Sequence, residues 1–125
     1  MIVLDTSILI DYFRKTKKEK SLFYNLASNN QSFAISVITK YEIEVGAKDA
    51  DMPFWNNLYA SFQIIPFDKF IATETVVITK ELKQSRQLID FADIAIAATA
   101  RINSYELATL NTKHFSRIKD LILTA

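Results

Sequence analysis

Ile89 to Ala100, IDFADIAIAATA, has less freedom than any other part of this chain. It opens with Asp90 and Asp93 and then runs almost without a polar atom. A helix that is apolar on every side belongs in an interior. An unpaired charge in an interior is costly. Asp90 can cap the helix, and negative charge near a helix N-terminus is favourable by about 0.3–1 kcal/mol. That makes acids tolerable at this end. It does not say what neutralises Asp93 once the helix is packed.

The rest of the chain supplies an interior. It has 125 residues, half of them hydrophobic and 23% charged, which predicts one packed domain over residues 1–125. With one Gly and two Pro there is no linker or low-complexity segment. No cysteine is present, which excludes a disulfide framework and a thiolate metal site. A lone histidine argues against a His-rich zinc site. The start, MIVLDTS, reads as a strand and not as a signal peptide. No apolar run reaches the roughly 20 residues of a membrane span, so a cytoplasmic protein is expected. The net charge of +1 carries no global signal for nucleic acid. The local basic run, Arg14 to Lys20, reads either as a solvated helix end or as a patch that follows phosphates.

Short apolar runs predict strands at Ile2–Leu4, Phe33–Ile35, Phe62–Pro66 and Leu107–Leu110, with a short fifth at Leu121–Leu123. Helices are expected after Asp5 (ILIDYF) and over Ser21–Ala27, Val37–Ala47, Phe54–Ala60, Lys69–Gln84 and Asp90–Ile102. Asn29-Asn30 signals a turn, Met52-Pro53 a break, and Asp68 a cap. Alternating strands and helices predict an α/β sandwich around a mostly parallel sheet. Such sheets place their sites beyond the carboxyl ends of the strands.

Three carboxylates are then hard to explain as surface. Asp5 ends the first strand, where it either caps the next helix or serves a site; Thr6 and Ser7 could cap in its place. Glu42 falls on the stripe of Ile38, Tyr41 and Val45, expected to face the sheet. It reaches water at the stripe's edge, pairs with a buried lysine, or binds metal. Glu44, one turn from Lys40 and Lys48, reads as a solvated ion pair. Asp93 opens the apolar helix. In the expected fold all three can converge at one end of the sheet. Converging carboxylates repel unless a cation sits among them, and oxygen ligands without Cys suit Mg²⁺ or Mn²⁺.

LDTSILIDYF, SVITKYEIEVGA, IDFADIAIAATA and LATLNTKHF, in that order, resemble the motifs of PIN-domain proteins, and among them the VapC-type toxin ribonucleases. The resemblance spans nearly the whole chain. It implies a three-layer α/β/α sandwich and a metal-dependent endoribonuclease acting on RNA, with tRNA or rRNA as frequent targets. It also implies Mg²⁺ or Mn²⁺ as cofactor, an antitoxin partner and a homodimer. By motif, Asp5, Glu42 and Asp93 are the metal-holding catalytic acids. Asn111, where relatives often carry Asp, is either a fourth member or a turn residue. Asp90 is placed to supply part of the missing charge, and Thr6, Ser7 and Thr109 to orient the carboxylates. Arg14 and Lys15 are candidates for the RNA backbone. His114 is expected at the surface or in packing, and Asp11 on the rim. Tyr12, Phe13, Phe23 and Tyr24 either complete the core or line a groove or dimer face. Two other function classes fit less of the sequence: a PIN-like binding module with weak catalysis, and an Mg-dependent phosphotransfer domain. For a haloacid-dehalogenase-like phosphatase the second aspartate is missing, because Ser7 stands there.

Overall fold

The structure is a computed structural model that describes residues 1–29 and 31–124. The chain begins with β1 (Ile2–Leu4), α1 (Thr6–Arg14) and α2 (Leu22–Ala27). It continues with β2 (Phe33–Ser36), α3 (Val37–Gly46), α4 (Met52–Tyr59) and β3 (Gln63–Ile65). It closes with α5 (Lys69–Gln84), α6 (Phe91–Ile102), β4 (Glu106–Ala108) and the single turn α7 (Thr112–Phe115). The four strands form one sheet in the order β3-β2-β1-β4. Every pairing is parallel.

The strands are short, yet their alternation sets the layers, because successive side chains point to opposite faces. Val3, Ala34 and Leu107 enter one core with α5 and α6, built mainly from Ile, Leu and Ala. Ile2, Leu4, Phe33, Ile35 and Ala108 enter a second core with helices α1 to α4. That second core is aromatic: Phe23 lies edge-on to Tyr12 at 4.9 Å, and Phe13 stacks on Trp55 at 5.1 Å. Helices on both faces make this the α/β/α sandwich expected from the sequence.

Several details differ. Met52-Pro53 does not break the chain; it starts α4, where proline lacks nothing because the first helical N–H groups have no partner in the helix. The expected fifth strand is a single parallel bridge, Leu107 to Leu123. Asn30 of the expected turn lies outside the described residues, while Asn29 is in a turn. The basic run is partly tied down: the Lys18 ammonium donates to the Tyr12 and Phe13 carbonyls at 2.6 Å each. It also lies over the Tyr12, Phe13 and Phe54 rings. Of the four aromatics left open by the sequence, Phe23 is buried, Tyr12 and Phe13 are partly buried against the same core, and Tyr24 is exposed.

From β1 the chain moves outward through β2 to β3 and returns on the other side of β1 as β4. The strand order therefore reverses between β1 and β4. Their carboxyl ends, Leu4 and Ala108, open the crevice where such folds carry chemistry.

Candidate active site

Asp5 is the first residue past β1 and is only 4% exposed. It occupies the N-cap position of α1 but makes no capping hydrogen bond. Its Oδ2 instead accepts from Ser7 Oγ and from Thr109 Oγ1, each at 2.7 Å. The Thr109 bond crosses the point where the strand order reverses. Backbone N–H groups hold both hydroxyls in turn: Leu110 donates to Ser7 Oγ at 3.1 Å, and Asn111 to Thr109 Oγ1 at 2.9 Å. The capping alternative for Asp5 is thus overturned.

Glu42 reaches the same crevice by a route the sequence did not indicate. Tyr41 and Val45, expected on the inner stripe with it, are 65% and 73% exposed. The inner positions of α3 are Thr39 and Ile43. Helical spacing defines a face but not which side its neighbours cover, and here the buried face is turned by about one residue. Glu42 sits at the edge of that face and points to α1, where Thr6 Oγ1 donates to its Oε1 at 2.6 Å. Thr6 also lies 3.2 Å from the Thr39 hydroxyl. Among the described residues no lysine takes the pairing role weighed for Glu42; Lys40 is engaged by Glu44 at 2.7 Å.

Asp93 lies in the first turn of α6, and its carboxyl is pushed up to about 6. Burial is the main cause, followed by the negative charges of Asp5, Glu42 and Asp90. His114 opposes the shift only weakly, with Nδ1 3.7 Å from Asp93 Oδ2. Asp90 stands at the N-cap of α6 without making the expected cap bond. The Asn111 amide donates to His114 Nδ1 at 3.0 Å. His114, expected at the surface or in packing, is therefore part of this crevice. The spacing of Asn111 and His114, one helical turn apart, was the signal for that pairing.

The remaining candidates lie further out. Arg14 is exposed and borders a cavity that Glu42 also lines. Lys15 pairs with Asp11 at 3.3 Å, one turn back along α1.

The donor set consists of carboxylate and hydroxyl oxygens. Asp5, Glu42 and Asp90 are close enough to Asp93 to raise its pKa, and such a set of oxygen donors suits a hard divalent ion. Among the described residues, no three acid or imidazole side chains are gathered closely enough to enclose an ion.

The PIN domain family model matches residues 2–121. The chain belongs to the PIN domain family. Among curated relatives of this PIN domain, Ribonuclease VapC1 of Methanocaldococcus jannaschii is 38% identical over 120 residues, covering 95% of this chain and 82% of that one. Ribonuclease VapC10 of Mycobacterium tuberculosis is 31% identical and covers 97% and 90%. Among solved structures, VapBC2 from Rickettsia felis bound to a promoter DNA fragment superposes with a TM-score of 0.86 at 28% identity, covering 99% and 98%. A toxin–antitoxin complex from Klebsiella pneumoniae gives 0.76 at 32%, covering 98% and 96%.

This PIN domain has a second charged cluster on the same helix, which the sequence did not reveal. Arg101, near the end of α6, donates from Nε to Glu74 at 2.7 Å and from Nη1 and Nη2 to Glu81 at 3.3 Å. It also donates to the Lys119 carbonyl at 3.0 Å. Burial lowers the guanidinium's pKa, but the two carboxylates outweigh it and hold the group above its ordinary value. The partners are 27 and 20 residues away in sequence, beyond any local pattern.

Proposed function

We propose that this PIN domain, a single domain over residues 1–125, is the ribonuclease toxin of a toxin–antitoxin pair. It hydrolyses RNA phosphodiester bonds with Mg²⁺ or Mn²⁺ held by Asp5, Glu42 and Asp93. The observation that carries this reading is Asp93: an acid whose pKa is raised first by burial and then by three neighbouring acids, beyond the strand ends where such sheets bind ligands. The named ribonucleases and the toxin–antitoxin complexes that the chain resembles support the same reading.

A bound divalent ion would lower the pKa of a water and offset charge on the phosphoryl group in transfer. The chain's own residues prepare that chemistry. Ser7 and Thr109 fix the Asp5 carboxylate, and Thr6 fixes Glu42, so two of the acids are oriented before any ligand arrives. Asp93 and Asp90 stand at the N-terminus of α6, whose backbone dipole favours negative charge there. Arg14 lies on the rim as a contact for the RNA backbone, whereas Lys15 is already engaged by Asp11. The expected products carry a 5′-phosphate and a 3′-hydroxyl, and tRNA or rRNA is the expected target, in the cytoplasm.

The antitoxin silences the site by placing an arginine among the carboxylates, a bidentate pairing that neutralises the same unmet charge. An antitoxin peptide with that arginine replaced by alanine should inhibit far less. Phe70, Val76 and Val77 on α5 and Phe91 at the start of α6 are exposed, and we assign the homodimer contact to them. Sedimentation should then give a dimer for the wild type and a monomer for Val77→Glu.

The test is an RNA-end map. The purified chain is incubated with total RNA in Mg²⁺, Mn²⁺ or EDTA beside Asp93→Asn, and new 5′ ends are sequenced. Discrete ends that need metal and vanish in the variant are expected. A second reading, a binding module with weak catalysis, is favoured by Asn111, which adds no charge and gives its amide to His114. Metal-independent RNA binding with no new ends would replace the first reading by the second.

A further inference from the structure

Thr39 is the third residue of α3 and is wholly buried. A buried hydroxyl needs a hydrogen-bond partner. Inside a helix, threonine can find one by bonding back to the carbonyl four residues before it. Thr73, Thr75, Thr79 and Thr99 all do so, at distances between 2.7 and 3.1 Å. Thr39 does not. Four residues before it stands Ile35, which is still in β2 and outside the helix. The Thr39 hydroxyl instead meets Thr6 Oγ1 on α1, at 3.2 Å. The same Thr6 oxygen lies 2.6 Å from Glu42 Oε1. A hydroxyl has one proton to give, and an ionised carboxylate can only accept. The Thr6 proton therefore goes to Glu42, and Thr39 is the donor of the longer bond. Thr39 and Glu42 are three positions apart, so they share the side of α3 that faces α1. The chain of hydroxyls leaves α3 at Thr39, passes through Thr6 and returns to α3 at Glu42.

We infer that Thr39 is a positioning residue of the candidate site: it orients Thr6, and through Thr6 it fixes which oxygen of Glu42 is left to hold an ion. This rests on the metal-dependent reading above. Thr6 occupies Oε1, while Oε2 has no hydrogen bond or ion pair among the described residues. The Thr39 donor fills one lone pair of Thr6 Oγ1, which limits where the Thr6 proton can lie. It also polarises that hydroxyl and so strengthens its bond to the carboxylate. Thr6 is only partly buried, so without this donor its hydroxyl is free to exchange Glu42 for water. The same device recurs across the site. Ser7 and Thr109, which hold Asp5, are each held from behind by a backbone N–H, of Leu110 and of Asn111. For Thr6 the support from behind is a side chain, so a substitution can remove it alone.

Thr39→Val keeps the shape of the side chain and deletes its hydroxyl. Thr39→Ala deletes it without adding a methyl, and Thr39→Ser keeps it. Mn²⁺ is titrated into each full chain without RNA, and binding is read from the loss of the free ion's paramagnetic resonance signal. Cleavage of RNA is then followed over a range of Mn²⁺ concentrations. Thr39→Val and Thr39→Ala should bind Mn²⁺ about tenfold more weakly and need correspondingly more of it for half-maximal cleavage. Their KM for RNA should not move, and Thr39→Ser should stay near wild type. Because Thr39 acts through Thr6, Thr39→Val should add no further loss in a Thr6→Val background. Denaturant midpoints read stability separately. Unchanged Mn²⁺ affinity in Thr39→Val and Thr39→Ala, whatever their midpoints, overturns the positioning role. Thr39→Ser as weak as Thr39→Val overturns it too, as does a full further loss in the Thr6→Val background. In each of these cases cleavage by wild type leaves the nuclease standing. If Mn²⁺ affinity follows the hydroxyl but wild type cuts no RNA, the nuclease reading falls and the positioning role stands. Wild type that binds no Mn²⁺ overturns both.

Discussion

The two ends of α6 are built from the same materials and come to opposite results. At its C-terminal end Arg101, with a side chain 12% exposed, meets Glu74, Glu81 and the Lys119 carbonyl, so every charge there has a partner within the chain. At its N-terminal end Asp93 meets Asp5, Glu42 and Asp90, and only His114 stands against them, at 3.7 Å. The first arrangement joins α5, α6 and the segment after α7 into one body. The second leaves negative charge unmatched at a crevice. Neutralised charge holds a fold together; unmatched charge that the fold tolerates is a place for something from outside.

The strongest way to break the comparison is Asp93→Asn. It removes one member of the unmatched set and keeps its shape. Cleavage should fall by more than about 100-fold, on the scale of losing a metal ligand. Stability near pH 7 should rise by about 1 kcal/mol, read from denaturant midpoints, because repulsion is relieved. A variant that is both active and less stable would show that this end of α6 is structural after all. At the other end Arg101→Ala strands two carboxylates and a carbonyl. It should cost about 2–3 kcal/mol of stability while the folded fraction still cuts RNA at the wild-type rate.

Thr109→Val sharpens the contrast within the acid cluster. It removes one of two hydroxyls on Asp5 and the acceptor of the Asn111 N–H. About tenfold lower activity with an unchanged RNA affinity is expected, since a positioning group is lost and no surface contact is.

The smallest effect is one of pH. Asp93 holds its proton up to about pH 6 in the folded chain but only to about 3.8 when unfolded. Between those values the folded chain binds more protons, so this group lowers stability as pH rises through the window, and the full penalty stands above it. Mg²⁺ should therefore raise the melting temperature more at pH 7 than at pH 5. The difference, about 3–5 °C, should vanish in Asp93→Asn.

Most of this arrangement was legible as types and positions, and less of it as directions. Strand ends and helix starts put Asp5 and Asp93 at one end of the sheet from the sequence alone. The apolar run of α6 told truly that it is buried on all sides, from Ile94 to Ala100. The face of α3 was misread because periodicity cannot say which side a neighbour covers. His114 is at the surface as expected, with a side chain 43% exposed, but α7 is too short to show a period, so its nearness to Asp93 was not legible. The contacts of Arg101 and of Thr39 depend on residues brought together from distant segments, and no local pattern encodes them.

The bond from Thr109 to Asp5 has a consequence in time. Those residues are separated by 104 positions, and β1 pairs with β4 only after both exist. At ribosomal rates the interval between making one and making the other is about 5–20 s. For the part of that interval after the aspartate emerges, it lacks the strand that fixes it. An enzyme that would destroy RNA is thus inert beside the RNA that is making it, and becomes able to cut only when its own synthesis is nearly over.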